Sequence, residues 1–241
     1  MEEPAMSEFS SAFERIFKEN GLESFLSFSE KFEYLYTKLI EANERVNVTA
    51  ITALDEVIVK HFADCVRVEE YIPKNAEVVD IGCGGGFPTL PLAIVRPDIR
   101  IFAVDSVAKK LVFTDGIAQA LGLSVSVCAA RAEELARDGE LREHFDICVS
   151  RAVARLDILS ELCLPLVKVG GSFLAMKGSD GLAELAEAEN AVRVLGATTA
   201  SRDGFTLSDG SERYIFRFEK LSETPEKYPR KYNKIKKEPL K

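Results

Sequence analysis

The sequence predicts an α/β fold: a doubly wound, Rossmann-like parallel sheet preceded by a helical N-terminal subdomain. Three observations carry this expectation. From about Ala76 onward, short β-rich runs alternate with helical segments. Those runs are continuously apolar, which suits parallel strands covered by helices on both faces. Before Ala76 only helical patterning is present.

In EKFEYLYTKLIEAN, Phe32, Leu35, Tyr36, Leu39 and Ile40 recur at three- and four-residue steps, the spacing of one helix face. A second helix is expected over Leu54–Tyr71, with Val57, Ile58, His61, Phe62, Cys65 and Val68 on one stripe and Pro73 as its stop. EVVDIG, RIFAVDS, VSVCAA, FDICVS and GSFLAMKG read as strands. Helices are expected between them over Pro88–Arg96, Ser106–Leu121, Ala132–Glu143 and Ala154–Val167, and a fifth over Leu182–Leu195. Two late runs, near GATTASRD and in ERYIFRFEKL, are expected to form a hairpin through FTLSDGS. The expected division is a helical subdomain over 1–75, a sheet domain over 76–220 and a basic tail over 221–241.

With 46% hydrophobic and 29% charged residues in 241, the chain has the composition of an ordinary globular protein. The acidic start MEEPAMSEF is unlike a secretory signal, and no apolar run approaches bilayer length, so a cytoplasmic protein is expected. Cys65, Cys83, Cys128, Cys148 and Cys163 are scattered without paired spacing, and there are only two histidines. Reduced, mostly buried thiols and no metal site are therefore expected. The net charge of −8 argues against nonspecific nucleic-acid binding, yet residues 220–241 hold eight Lys/Arg against three Glu. A basic tail on an acidic body reads as an interaction segment.

The chemistry begins at VVDIGCGGGFPTLPLAIV, residues 78–95. A P-loop would need Lys and Ser/Thr after its last glycine, where this chain has Phe87 and Pro88. The dinucleotide fingerprint, counted from Gly82, would need glycine where Phe87 stands. What remains is Asp80-x-Gly82-x-Gly84-x-Gly86 passing into a helix, the arrangement of S-adenosylmethionine (SAM)-dependent methyltransferases with a Rossmann-like sheet. Bare backbone admits the methionine part of SAM, the helix start favours its carboxylate, and Asp80 is placed to take its ammonium. A tight strand–helix turn built only for packing is the competing reading. Asp105 closes the next strand, where an acid accepts from ribose hydroxyls, or alternatively caps the helix that follows.

Further segments resemble one family, the bacterial glucose-inhibited division protein B family, whose members methylate N7 of a guanine in small-subunit ribosomal RNA. They are Asn47-Val-Thr49, Lys60-His61-x-x-Asp64, FPTLPLAIVRPD, VDSVAKKLVF, RAEEL, SRAVARL, AMKG and the tail YPRK…KKEPL. The resemblance covers most of the chain. It implies a class I methyltransferase sheet, SAM as cofactor, and cofactor contacts at Gly82, Phe87, Ala132, Glu133 and Arg151. Departures are mild: Cys83, Thr89 and Cys65 stand where Thr or Ser, Gly, and Ser are usual, and the tail has Asn233 and Ile235 in place of Gly and Pro.

Guanine N7 has a lone pair and no proton, so its methylation needs positioning and water exclusion rather than a base. SRAV after the fourth strand lacks the Asn/Asp-Pro-Pro-aromatic element of amino-group methylation, and no Pro-Cys is present for attack through a cysteine adduct. Cys148 reads as core. Arg151, at the carboxyl end of the fourth strand, is the leading candidate to hold cofactor or substrate, with a structural salt bridge as the alternative; Lys177, at the end of the fifth strand, is a weaker candidate for substrate phosphate, with a plain surface lysine as the alternative. Glu133 is placed to bond the adenine amino group, or merely begins a surface helix. His61 reads as a satisfied, partly buried histidine, or with Lys60 and Asp64 as a cover of the cofactor cleft. The tail offers Tyr228, Arg230, Lys231, Lys234, Lys236 and Lys237 for stacking and phosphate neutralisation, or is simply a solvated end. The expected partner is small-subunit ribosomal RNA or a ribosomal particle, met by a monomer without membrane or metal. The alternatives are a SAM-dependent methyltransferase of another RNA base or a small molecule, and a noncatalytic SAM-binding protein that touches ribosomal RNA.

Overall fold

A seven-stranded sheet in the order β3-β2-β1-β4-β5-β7-β6 organises the computed structural model, which describes residues 7–240. The acidic start before Ser7 and the final Lys241 lie outside the described residues. β1 (Glu77–Ile81), β2 (Arg100–Asp105), β3 (Val125–Ala129), β4 (Phe145–Arg151) and β5 (Val167–Lys177) pair in parallel. β6 (Ala197–Thr206) and β7 (Glu212–Lys220) form the expected hairpin, and β7 joins β5 antiparallel.

Both faces of the sheet are covered, which explains the unbroken apolar runs. Val79, Ile81, Cys148, Phe173, Ala175 and Phe216 pack with Leu159, Leu162, Leu185 and Val192, from α8 (Leu156–Cys163) and α9 (Gly181–Val194). Their neighbours Val78, Ile147, Val149, Leu174 and Met176 pack the other way, with Val68, Ile72 and Leu92. Parallel sheets are buried on both faces, and alternation disappears for that reason.

The N-terminal helices α1 (Glu8–Glu19) and α2 (Ser29–Asn43) precede the sheet. Next, α3 (Leu54–Val57), a π-helical segment Ile58–Ala63, α4 (Asp64–Val66) and a 3-10 turn Arg67–Tyr71 abut in the span where one helix was expected. A line of rings joins these helices to the glycine loop. Phe13 and Phe17 have centroids 3.9 Å apart, Phe13 and Phe32 5.2 Å, Phe32 and Phe62 4.9 Å, and Phe62 and Phe87 6.4 Å. Such aromatic pairs add specific geometry to the apolar area they bury.

Beyond the loop come α5 (Thr89–Val95) and α6 (Ala108–Leu121), the latter stopped by Gly122 in the left-handed conformation. The helix expected over Ala132–Glu143 is only α7 (Ala132–Leu135). Asp138 accepts from the Glu140 amide through its side chain, and Glu143 has φ 51°, so the chain turns there instead. The tail carries a further helix, α10 (Tyr232–Lys237), whose Ile235 is fully buried.

Candidate active site

The glycine loop is shaped by its backbone. Gly82, Gly84 and Gly86 have φ of 77°, 55° and 84°, a region side chains avoid. The amides of Gly82 and Cys83 donate to the Val104 carbonyl at 2.8 and 3.1 Å, folding the loop against the end of β2. A Cβ at Gly82 would strike Val153, and one at Gly85 would strike Val48. One at Gly84, which lines the cleft, would meet nothing within 4 Å. The loop is a bare cradle with walls on either side.

That cradle floors a cleft of about 510 Å³ at the carboxyl ends of β1, β2 and β4, where strand order reverses. Asp105 joins two loops, its Oδ2 accepting from the Gly84 amide at 2.9 Å and its Oδ1 from the Val107 amide at 2.8 Å. Each carboxylate oxygen keeps lone-pair capacity for a hydroxyl in the cleft. Ala132 and Glu133, at the start of α7, line the same cavity, and Glu133 is buried. The residues present fit SAM: a polar recess by Asp105 and Glu133, and a bare turn by Gly82 and Gly84.

The opposite wall comes from Thr49, His61, Phe87 and Arg151. Arg151 donates through Nη1 to the Lys60 carbonyl at 2.9 Å and to Asp64 Oδ2 at 3.3 Å, and through Nη2 to His61 Nδ1 at 3.2 Å. Its guanidinium lies 5.8 Å from the Phe87 ring centre, while the His61 ring stacks on Phe87 at 4.6 Å. Arg213 reaches the other Asp64 oxygen at 3.4 Å. Burial, then the Arg151 charge, depresses His61 to about 3, so its imidazole is neutral. Burial raises the Asp64 carboxyl against the pull of both arginines, and pushes the Cys65 thiol up to about 12.

The structure therefore brings Gly82, Gly84, Phe87, Asp105, Ala132, Glu133 and Arg151 to one cleft, and places four other expected residues differently. Asp80 lies outside the cleft lining, fully buried, where Thr89 donates its hydroxyl to Oδ2 at 2.6 Å. It cannot take an ammonium from solvent there; it braces the loop from below. Lys177 is nine-tenths buried and pairs with Glu184 at 2.8 Å while donating to the Ala154 carbonyl. A desolvated ammonium needs such partners, so the expected phosphate contact is corrected to a structural ion pair. Tyr228 is buried. Arg230 grips the fully buried Glu161 through Nε and Nη2, at 2.6 Å for the shortest contact. Both residues anchor the tail rather than face RNA. Lys231, Lys234, Lys236 and Lys237 are exposed.

Sequence reasoning gave little weight to several cleft residues. Tyr232, from the tail, lines the cavity with the Arg131 guanidinium 5.7 Å from its ring. Val48, Thr49, Lys110 and Val153 line it too. In the sequence Asn47-Val-Thr49 stands out only as part of a family resemblance, because no residue spacing links it to the glycine loop.

The chain's likeness to known proteins bears on its family and its fold. Residues 28–210 match the family model described as rRNA small subunit methyltransferase G. The chain is 42% identical over 95% of its length to the ribosomal RNA small subunit methyltransferase G of Halalkalibacterium halodurans, covering 98% of that protein. It is 44% identical, with the same two coverages, to the protein of that name from Oceanobacillus iheyensis. Among solved structures, TrmN from Thermus thermophilus has a TM-score of 0.53 at 21% identity, over 77% of this chain and 52% of that one. M. jannaschii TYW2 in complex with AdoMet has a TM-score of 0.53 at 17% identity, over 66% of this chain and 75% of that one. At such identities the structures speak to the fold alone, the α/β sheet described above.

Proposed function

This chain belongs to the rRNA small subunit methyltransferase G family, and from that premise we propose that it methylates N7 of a guanine. It is a SAM-dependent enzyme acting on small-subunit ribosomal RNA. Among the described residues no helix is long and apolar enough to cross a membrane; a ribosomal RNA substrate supports a cytoplasmic location, and we read the protein as a monomer there.

One observation carries the choice of N7. At the Thr49–Phe87–Arg151 end of the cleft, both ring nitrogens of His61 are engaged and Asp64 is held by two arginines. Among the described residues at that end, none is left free to remove a proton. An acceptor with a lone pair and no proton suits that wall, and guanine N7 is one. When bound, SAM would supply an electrophilic methyl on a sulfonium, which the N7 lone pair would take while sulfur becomes neutral and the positive charge passes to the guanine ring.

The protein's part is to bind, orient and exclude water. In this reading Asp105 accepts from the ribose hydroxyls, Glu133 from the adenine amino group, and the bare backbone at Gly82 and Gly84 lies against the methionine part. Phe87 and Arg151 shape the wall beside the reacting atoms. Lys231, Lys234, Lys236 and Lys237 bring ribosomal RNA to the cleft mouth, where Tyr232 and Arg131 stand. Small subunits from cells lacking the enzyme, incubated with labelled SAM and digested to nucleosides, are expected to yield labelled 7-methylguanosine. Label in any other nucleoside would overturn the N7 assignment.

A further inference from the structure

The hydrogen-bond polarity of Thr49 is set by its neighbours. Arginine carries donors only, so the contact from Arg151 makes His61 Nδ1 an acceptor. The neutral ring then holds its proton on Nε2, which donates to Thr49 Oγ1 at 2.8 Å. The Ile51 amide donates to the same oxygen at 3.1 Å. Both lone pairs of Oγ1 are thereby filled, and the hydroxyl has only its own proton to offer. The residue is also fixed in place. Asn43 Oδ1 accepts from the Val48 and Thr49 amides at 2.8 and 3.0 Å, and Val48 lies against Gly85. Thr49 lines the cleft beside His61 and Phe87.

We propose that Thr49 selects the acceptor base, donating its hydroxyl proton to O6 of the guanine. The inference rests on the guanine N7 reading above. Guanine presents two acceptors, N7 and O6, along one edge, whereas adenine presents an amino donor where guanine has O6. A hydroxyl locked as a donor bonds O6 and leaves the N7 lone pair free to attack. Against adenine it would set donor against donor, a desolvated mismatch of the kind that gives strong discrimination. Arg151 and His61 act here as positioning residues, through the tautomer that turns the threonine into a donor.

The test pairs a change in the protein with one in the substrate. Thr49→Val removes the hydroxyl at nearly constant shape, and Thr49→Ser keeps it. Small-subunit RNA carrying 2-aminopurine at the modified position keeps N7 and lacks O6. Thr49→Val is expected to lower kcat/KM for RNA by roughly 10–100-fold, with the SAM Kd from calorimetry nearly unchanged, while Thr49→Ser stays close to wild type. Wild type is expected to lose a similar factor on 2-aminopurine RNA, and Thr49→Val to lose little more. Equal slowing of both RNAs by Thr49→Val, or a SAM affinity that falls with it, would overturn the proposal. The wild-type product separates the two levels of inference. If it is 7-methylguanosine and the two losses still multiply, only the role of Thr49 falls; if it is another nucleoside, the N7 reading falls with it.

Discussion

Asp80 and His61 both sit close to the cofactor loop, and burial drives their titration in opposite directions. Asp80 is raised to about 7, chiefly by desolvation, and its Oδ1 is buried without a partner. Its folded value lies above its unfolded one, so the stability it contributes is full below about 4 and lost as pH rises through 7. Asp80→Asn should therefore gain on wild type between pH 5 and pH 8, by an amount on the order of 2–3 kcal/mol in denaturant titrations. A pH-independent difference would show that the carboxylate is ionised throughout. His61 behaves inversely. Its folded value of about 3 lies below the unfolded one, so its contribution is present above about 6.5 and fades as pH falls toward 3. For Arg151→Ala, loss of the guanidinium leaves buried Asp64 with Arg213 alone and frees His61 Nδ1. The variant should lose about 3 kcal/mol of stability and at least about 100-fold in methyl transfer. Turnover matching wild type would remove Arg151 from the site.

Among elements, the glycine loop and the segment bearing Val48 depend on each other. Gly85 has ordinary φ, so alanine there is tolerated by the backbone and harmful only through its collision with Val48. Gly85→Ala should weaken SAM binding about 10-fold, and Val48→Ala in the same chain should restore much of it, because the second change makes the room the first requires. Additive losses in calorimetry would mean the two segments do not act as a unit. The tail divides likewise into an anchor and a free face. Arg230→Ala strands the buried Glu161 and should cost about 3–5 kcal/mol, read as a lowered Tm. Alanine at Lys231, Lys234, Lys236 and Lys237 together should instead leave Tm and SAM affinity unchanged, weaken RNA binding, and flatten its dependence on salt. Deleting the whole tail would mix these effects.

For the molecule as a whole, the sequence was most legible where local chemistry decides the structure. Apolar runs between turn residues marked the strands, and Asp80-x-Gly82-x-Gly84 marked the cradle because its turn needs the positive φ that glycine adopts freely. It was least legible where the partner of a charge lies far along the chain. Lys177 and Arg230 look like free cations until the fold brings Glu184 and Glu161 to them. Asp80 looks like a ligand residue until Thr89 is seen donating to it within the core. The place of Thr49 in the second wall is hidden for a related reason, since the fold alone brings it beside His61 and Phe87. The Arg230–Glu161 pair has a consequence in time as well. Translation delivers Glu161 69 residues before Arg230, so a growing chain carries a carboxylate that cannot be buried with its counterion until the basic segment has been made. A chain that stops short of Arg230 leaves Glu161 without that counterion, so the core around α8 is completed only when the basic segment docks.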